Sequence, residues 1–154
     1  MGSSREYPKF PIPGVGAVVL REGAGGTEVL LIRRGSEPMA GGWSLPGGAI
    51  ELGESVREAC VRETLEETGL TVEALAEVEI IDIIYRDATG RVQYHYVVVD
   101  ILCRVLGGEL ISGTDASEVA WADVRHVLEI GDFALTPRAC TVIRKALIMN
   151  EDLK

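Results

Sequence analysis

GGAIELGESVREACVRETLEETGL, residues 47–70, holds a loop, a helix start and a helix stop in one run. Ser55 with Glu58 three residues later is the S-x-x-E capping box, so a helix opens there. Gly69 ends it, as glycine does just beyond a helix. Glu63, Glu66 and Glu67 stand at i, i+3 and i+4, so the helix carries three carboxylates on one face. Like charges at these spacings repel, and the helix dipole disfavours anions in the last turns. An acidic helix face is often simply solvated. Here Val56, Ala59 and Cys60 share the acidic side while Val61 and Leu65 lie opposite. A helix apolar on both sides is expected to be sandwiched, with its acidic end partly buried. Crowded carboxylate oxygens of this kind suit a hard cation such as Mg²⁺ or Mn²⁺.

Before this segment, GVGAVVL (14–20) and EVLLIRR (28–34) read as strands joined through the glycine-rich REGAGGT, a hairpin. The stretch GSEPMAGGWSLPGG (35–48) then reads as an irregular loop. After the segment, AEVEIIDIIYRD (76–87) and VQYHYVVVDILCRVL (92–106) read as strands around a DATG turn. EVAWAD (118–123) adds a shorter strand, and a brief helix is expected over residues 124–129. Thr136 caps a last helix with Pro137 at its first position and Val142, Ile143, Ala146 and Leu147 as its apolar stripe. The fold class expected is α+β, a mixed β-sheet with a central helix and a C-terminal helix. Its 154 residues suit a single domain, 1–154, with residues 1–12 as an extended N-terminal arm.

The formal net charge is −9, and no Lys/Arg run interrupts it. That excludes a footprint for polymeric nucleic acid or an anionic membrane. A phosphate-bearing small molecule would need a divalent ion to reverse the local field. The longest apolar run, YVVVDILCRVL, is broken by Asp100 and Arg104 and is too short to span a bilayer. MGSSREYPKFP has no apolar signal core, so a cytoplasmic location is expected. Cys60, Cys103 and Cys140 are widely spaced in apolar contexts and read as packed, reduced thiols.

The central segment resembles the Nudix box: a Gly, five residues, a Glu, seven residues, then Arg-Glu-hydrophobic-x-Glu-Glu-x-Gly-hydrophobic. Those positions here are Gly48, Glu54, Arg62, Glu63, Thr64, Glu66, Glu67, Gly69 and Leu70, a box over 48–70. Only Thr64 departs from the pattern, and it is expected on the side of the helix. The resemblance implies an α/β/α sandwich with a central catalytic loop–helix–loop. It implies a Mg²⁺ site (Mn²⁺ as the alternative) held by Glu63, Glu66, Glu67 and the Gly47 carbonyl. Glu54 would assist the metal or pair with Arg62, which would orient a glutamate. Glu67 or Glu66 would be the base, with Asp115 or Glu118 on a later loop as alternatives.

Family likeness also implies hydrolysis of a diphosphate linkage in a small nucleotide. The short chain, the GGWSLPGG loop and the YHYVVVD strand look like the branch labelled ADP-ribose pyrophosphatase, which yields AMP and ribose 5-phosphate. The MutT-like triphosphate pyrophosphatases are the alternative, although TPRACTVI lacks the asparagine with which that branch reads its purine. A non-catalytic nucleotide-binding sensor is another, although such modules typically lose box glutamates. A homodimer is common in the resembled branch. For substrate contact the candidates are Arg33, as a phosphate partner or a surface ion pair, and Trp43, stacking on a base or packing in its loop. His95 is the third: with Gln93 it begins the face of Val97, Val99 and Ile101, as a cavity mouth or a core histidine. His126 reads as a surface residue.

Overall fold

The computed structural model describes residues 5–35, 40–113 and 116–154. β1 (Ile12–Gly23) and β2 (Gly26–Arg34) form the expected hairpin, paired antiparallel down to Gly23 opposite Gly26. Two short strands follow, β3 (Trp43–Ser44) beside β2 and β4 (Gly47–Ala49) beside β1. The first helix, α1, spans Val56–Thr68. β5 (Leu70–Arg86) and β6 (Val92–Gly108) form a long antiparallel hairpin, and β7 (Ala116–Asp123) returns to pair with β2. A single wide helical turn covers His126–Ile130, slightly later than expected, before α2 (Pro137–Asp152). The main strand order is β3-β2-β1-β6-β5. β1 and β6 run parallel from the Ile12–Tyr96 pair to Leu20–Arg104, so the sheet is mixed, as expected.

Both faces of this sheet are covered. On one, Val15, Ala17 and Val19 pack with Ile101 and Cys103 against Ala59 and Cys60 of α1. On the other, Val18, Leu20 and Leu102 pack against Val142, Ile143 and Ala146 of α2. That is the α/β/α sandwich, and it explains why β1 is buried without a break from Gly14 to Leu20. Strands lined on both faces lose the apolar/polar alternation of a half-exposed sheet.

α1 is capped as the sequence dictates: the Ser55 side chain accepts from the Glu58 amide, and Gly69 closes the far end at φ 78°. The Gly69, Ile111 and Gly113 amides donate to the carbonyls of Leu65, Thr68 and Glu67, which satisfies the last turn. A side chain at Gly69 would meet a left-handed backbone and the Glu109 carbonyl oxygen. Gly69→Ala is expected to lower stability by about 3 kcal/mol, read as a fall in thermal midpoint of roughly 10 °C. An unchanged midpoint would contradict this helix end.

Two expectations for α1 need correction. Leu65 is 48% exposed, so the helix is not sandwiched; one face is buried and the other is wet. Thr64 is fully buried, not on the flank, and its hydroxyl donates to the Cys60 carbonyl at 2.8 Å. Cys60 and Cys103 are buried free thiols with sulfurs 3.5 Å apart, and Cys140 is free and half-buried. The N-terminal arm is docked: the Tyr7 amide donates to Gln93, and its hydroxyl donates to Asp87. Among the described residues no helix is long and apolar enough to cross a membrane.

Candidate active site

A cleft of about 910 Å³ runs from the end of α1, over β1 and β6, to the start of α2. Glu63 and Glu67 face into it beside Gly47 and Gly48. Glu67 is 5% exposed, and its Oε2 is buried with no hydrogen-bond partner. Burial, and then the charge of Glu63, push the Glu67 carboxyl up to about 8. The Gly47 amide and the positive charge of Arg34 oppose that rise. Burial also raises Glu63, with Arg62 working against it.

Arg62 organises the rest of the box. Its Nε donates to Glu54 Oε2 at 2.6 Å and its Nη2 to Glu54 Oε1 at 2.9 Å, the two-pronged grip a planar guanidinium makes on a carboxylate. Nη1 donates to Glu63 at 2.9 Å and to Glu66 at 3.1 Å, and Nη2 also reaches the Ala49 carbonyl. Arg62, joined by the Glu51 amide, holds Glu54 down at about 2. Glu54 therefore pairs with Arg62, one of its two expected roles.

The three glutamates do not converge equally. Glu66 is 56% exposed and held by Arg62 on the outer flank. Among the described residues, no three acidic, His or Cys side chains are gathered tightly enough, as they stand, to hold a metal ion. The chemistry of the Glu63–Glu67 pair nevertheless fits a divalent cation. An orphaned carboxylate oxygen facing a second carboxylate lacks only positive charge, and Mg²⁺ commonly binds through one or two carboxylates plus water and substrate phosphate.

Other expected site residues fall elsewhere. Arg33 lies off the cleft, its Nε on the Gly41 carbonyl and its Nη1 on Glu118, its cross-strand neighbour, at 3.0 Å. Arg34 lines the cleft in its place. Glu118 is thereby tied into an exposed ion pair, and Asp115 lies outside the described residues. Trp43 both lines the cleft and packs edge-on against Phe133, ring centroids 5.1 Å apart. His95 does not line it: Tyr94, Tyr96, Val98 and Asp100 do, on the opposite phase of β6. His126 is on the surface, beside Asp132. Strand alternation sends one of Arg33 and Arg34 inward, and the sequence favoured the wrong one; it also left out the tyrosines and Asp100. The signal for Asp100 was a lone carboxylate inside an otherwise apolar run.

This sandwich with a carboxylate-bearing loop–helix–loop defines a class, and the family profile described as the NUDIX domain matches residues 11–141. The chain belongs to the Nudix family. It is 38% identical over 100 residues to the ADP-ribose pyrophosphatase of Methanocaldococcus jannaschii, covering 65% of this chain and 57% of that one. It is 32% identical over 122 residues to a MutT-like protein of Streptomyces ambofaciens, covering 79% and 70%. The aligned segment spans 57% of the Methanocaldococcus jannaschii relative, and only 28% and 34% of two further curated relatives, from Caenorhabditis elegans and Mycobacterium tuberculosis. Among solved structures, the MutT NUDIX hydrolase of Burkholderia pseudomallei superposes with a TM-score of 0.72 at 28% identity, covering 89% of this chain and 98% of that one. The NUDIX domain of Shewanella oneidensis NrtR, complexed with ADP ribose, superposes at 0.70 with 26% identity, covering 95% and 90%.

Proposed function

We propose that the chain is a Mg²⁺-dependent hydrolase of the diphosphate linkage in nucleoside-diphosphate derivatives, with ADP-ribose cleaved to AMP and ribose 5-phosphate. The observation that carries this is the orphaned Glu67 carboxylate facing Glu63 in a cleft of about 910 Å³, a volume suited to a nucleotide. Glu63, Glu67 and the backbone at Gly47 would hold the ion, which would supply positive charge to a phosphate and a more acidic water. Arg62 fixes the Glu63 rotamer and Arg34 offers a cation to a phosphate, while Glu67 is the base of choice for the attacking water. Trp43, Tyr94 and Tyr96 present aromatic surface to the base. The ADP-ribose pyrophosphatase relative and the ADP-ribose complex support this substrate, and the MutT-like relative makes triphosphates the second reading.

The test is a panel of ADP-ribose, other nucleotide sugars, dinucleoside polyphosphates and oxidised triphosphates, with Mg²⁺, with Mn²⁺ and with chelator. ADP-ribose should be hydrolysed best and chelator should abolish turnover. Faster triphosphate cleavage would transfer the chain to the MutT-like activity. Tight nucleotide binding without turnover would make it a sensor module.

A further inference from the structure

β6 carries a second buried carboxylate that the proposed chemistry does not use. Asp100 is 4% exposed and lines the cleft, and among the described residues burial and the like charge of Glu79, not a donor or a cation, set its environment. Its cross-strand neighbour is Glu79, whose carboxylate is taken by Lys145. Burial, and then the charge of Glu79, push the Asp100 carboxyl up to about 7, and the ionised form offers about four acceptor sites toward the cleft. Such a carboxyl either holds a proton or takes its donors from a ligand, and its place in the wall of the cleft lets a ligand bring them.

Its position narrows the ligand. Gly47, Gly16 and Asp100 form one row across three strands, Gly16 being the partner of Gly47 on one side and of Asp100 on the other. At about 5 Å per strand, Asp100 stands two spacings from the Gly47 end, where Glu67 and Glu63 lie. The Asp100 carboxylate leans over Gly16, where a Cβ would collide with its Oδ1. The row is thus a smooth glycine step between the two anionic places. Val98 and Val142 line the cleft without charge, and Arg138 lines it at the start of α2. Against the Asp100 carboxylate itself, a neutral group rich in hydroxyl donors fits better than a second phosphate.

We propose that Asp100 reads the sugar: its carboxylate accepts hydrogen bonds from the vicinal 2′,3′-hydroxyls of the ribosyl group next to the diphosphate, so that the chain selects ribonucleotides over 2′-deoxyribonucleotides. This rests on a nucleoside diphosphate occupying the Glu63–Glu67 end. A carboxylate meets a cis-diol with two acceptors in one plane, and removing one hydroxyl leaves an acceptor stranded. Discrimination of that type is steep because it punishes the wrong ligand instead of merely rewarding the right one.

The experiment compares wild type, Asp100→Asn and Gly16→Ala by calorimetry with AMP and 2′-deoxy-AMP in Mg²⁺, and by kcat/KM on ADP-ribose and its 2′-deoxy form. Asp100→Asn keeps the shape of the side chain, and Gly16→Ala displaces the carboxylate without altering its chemistry. Wild type should prefer the ribose form about tenfold or more, and Asp100→Asn should lose about 10- to 100-fold on the ribose form alone. Gly16→Ala should erode the same preference. A ribose preference untouched in both variants overturns the proposal. So does a loss that follows the base, adenine against hypoxanthine, and not the sugar. If wild type cleaves triphosphates and not ADP-ribose, the substrate assignment falls while ATP against dATP still decides this one. Absence of both turnover and nucleotide binding overturns both.

Discussion

Glu67→Gln is expected to fold, to melt higher than wild type in chelator at pH 7, and to hydrolyse substrate about 10²- to 10⁴-fold more slowly. The two changes have one cause. In the folded chain burial and the Glu63 charge lift the Glu67 carboxyl from 4.5 to about 8. Between those values the unfolded chain has released a proton that the folded chain retains. Stability attributable to this group is therefore fully present below about pH 4.5, and it is lost as pH rises toward about 8. One unit corresponds to about 1.4 kcal/mol, and sharing with Glu63 discounts the sum, so about 2–3 kcal/mol is at stake at pH 7. Glutamine removes the ionisation and can donate its amide to Glu63. Differential scanning calorimetry in chelator should show the variant about 5–10 °C above wild type at pH 7–8 and level with it at pH 4. Kinetics should show the activity loss in kcat with Mg²⁺ saturating. A variant no more stable than wild type at pH 8, or one as active, removes Glu67 from the centre of the site.

That residue was visible in the sequence because its position is uneconomical there: three glutamates at the dipole-negative end of a helix, just ahead of Gly69, need a reason beyond helix stability. Ser55, Gly69, Thr136 and Pro137 were equally legible, since caps act through the nearest backbone amides and carbonyls. What one helical face could not tell was how narrow the cleft is. At 3.6 residues per turn, Glu66 and Glu67 diverge by about 100° while Glu63 and Glu67 are within about 40°, so the cleft admits the second pair and leaves Glu66 outside. The same limit governs β6. Alternation separates Tyr94, Tyr96, Val98 and Asp100 from His95, Val97, Val99 and Ile101, but both faces are covered and either could meet a cavity. The choice was settled by the parallel pairing of residues 12–20 with 96–104, a contact between distant segments. β5 began earlier than its alternation suggested because register shifts between Ala74 and Ala76 and between Glu77 and Glu79 scramble the two-residue period.

Arg62→Met should cost about 10- to 100-fold in activity or metal affinity, although Arg62 lies behind the two carboxylates that face the cleft. Its guanidinium is shared by Glu54, Glu63 and Glu66, and it also ties the Ala49 carbonyl of the preceding loop. Without it Glu63 is free to turn away from Glu67, and Glu54, a carboxylate only 14% exposed, keeps its burial without its partner. The sign of the pH effect separates this from a general loss of packing. Glu54 is held at about 2 in the folded chain against 4.5 when unfolded, so its share of stability is present above about pH 4.5 and lost as pH falls toward 2. The gap in thermal midpoint between wild type and Arg62→Met should thus be wide at pH 7 and close as pH drops through 4 to 3. Arg62→Lys restores the charge but not the two-pronged grip, so it should recover part of the midpoint and little of the activity. A gap that stays constant with pH, or a lysine variant with full turnover, would show that Arg62 serves the fold alone.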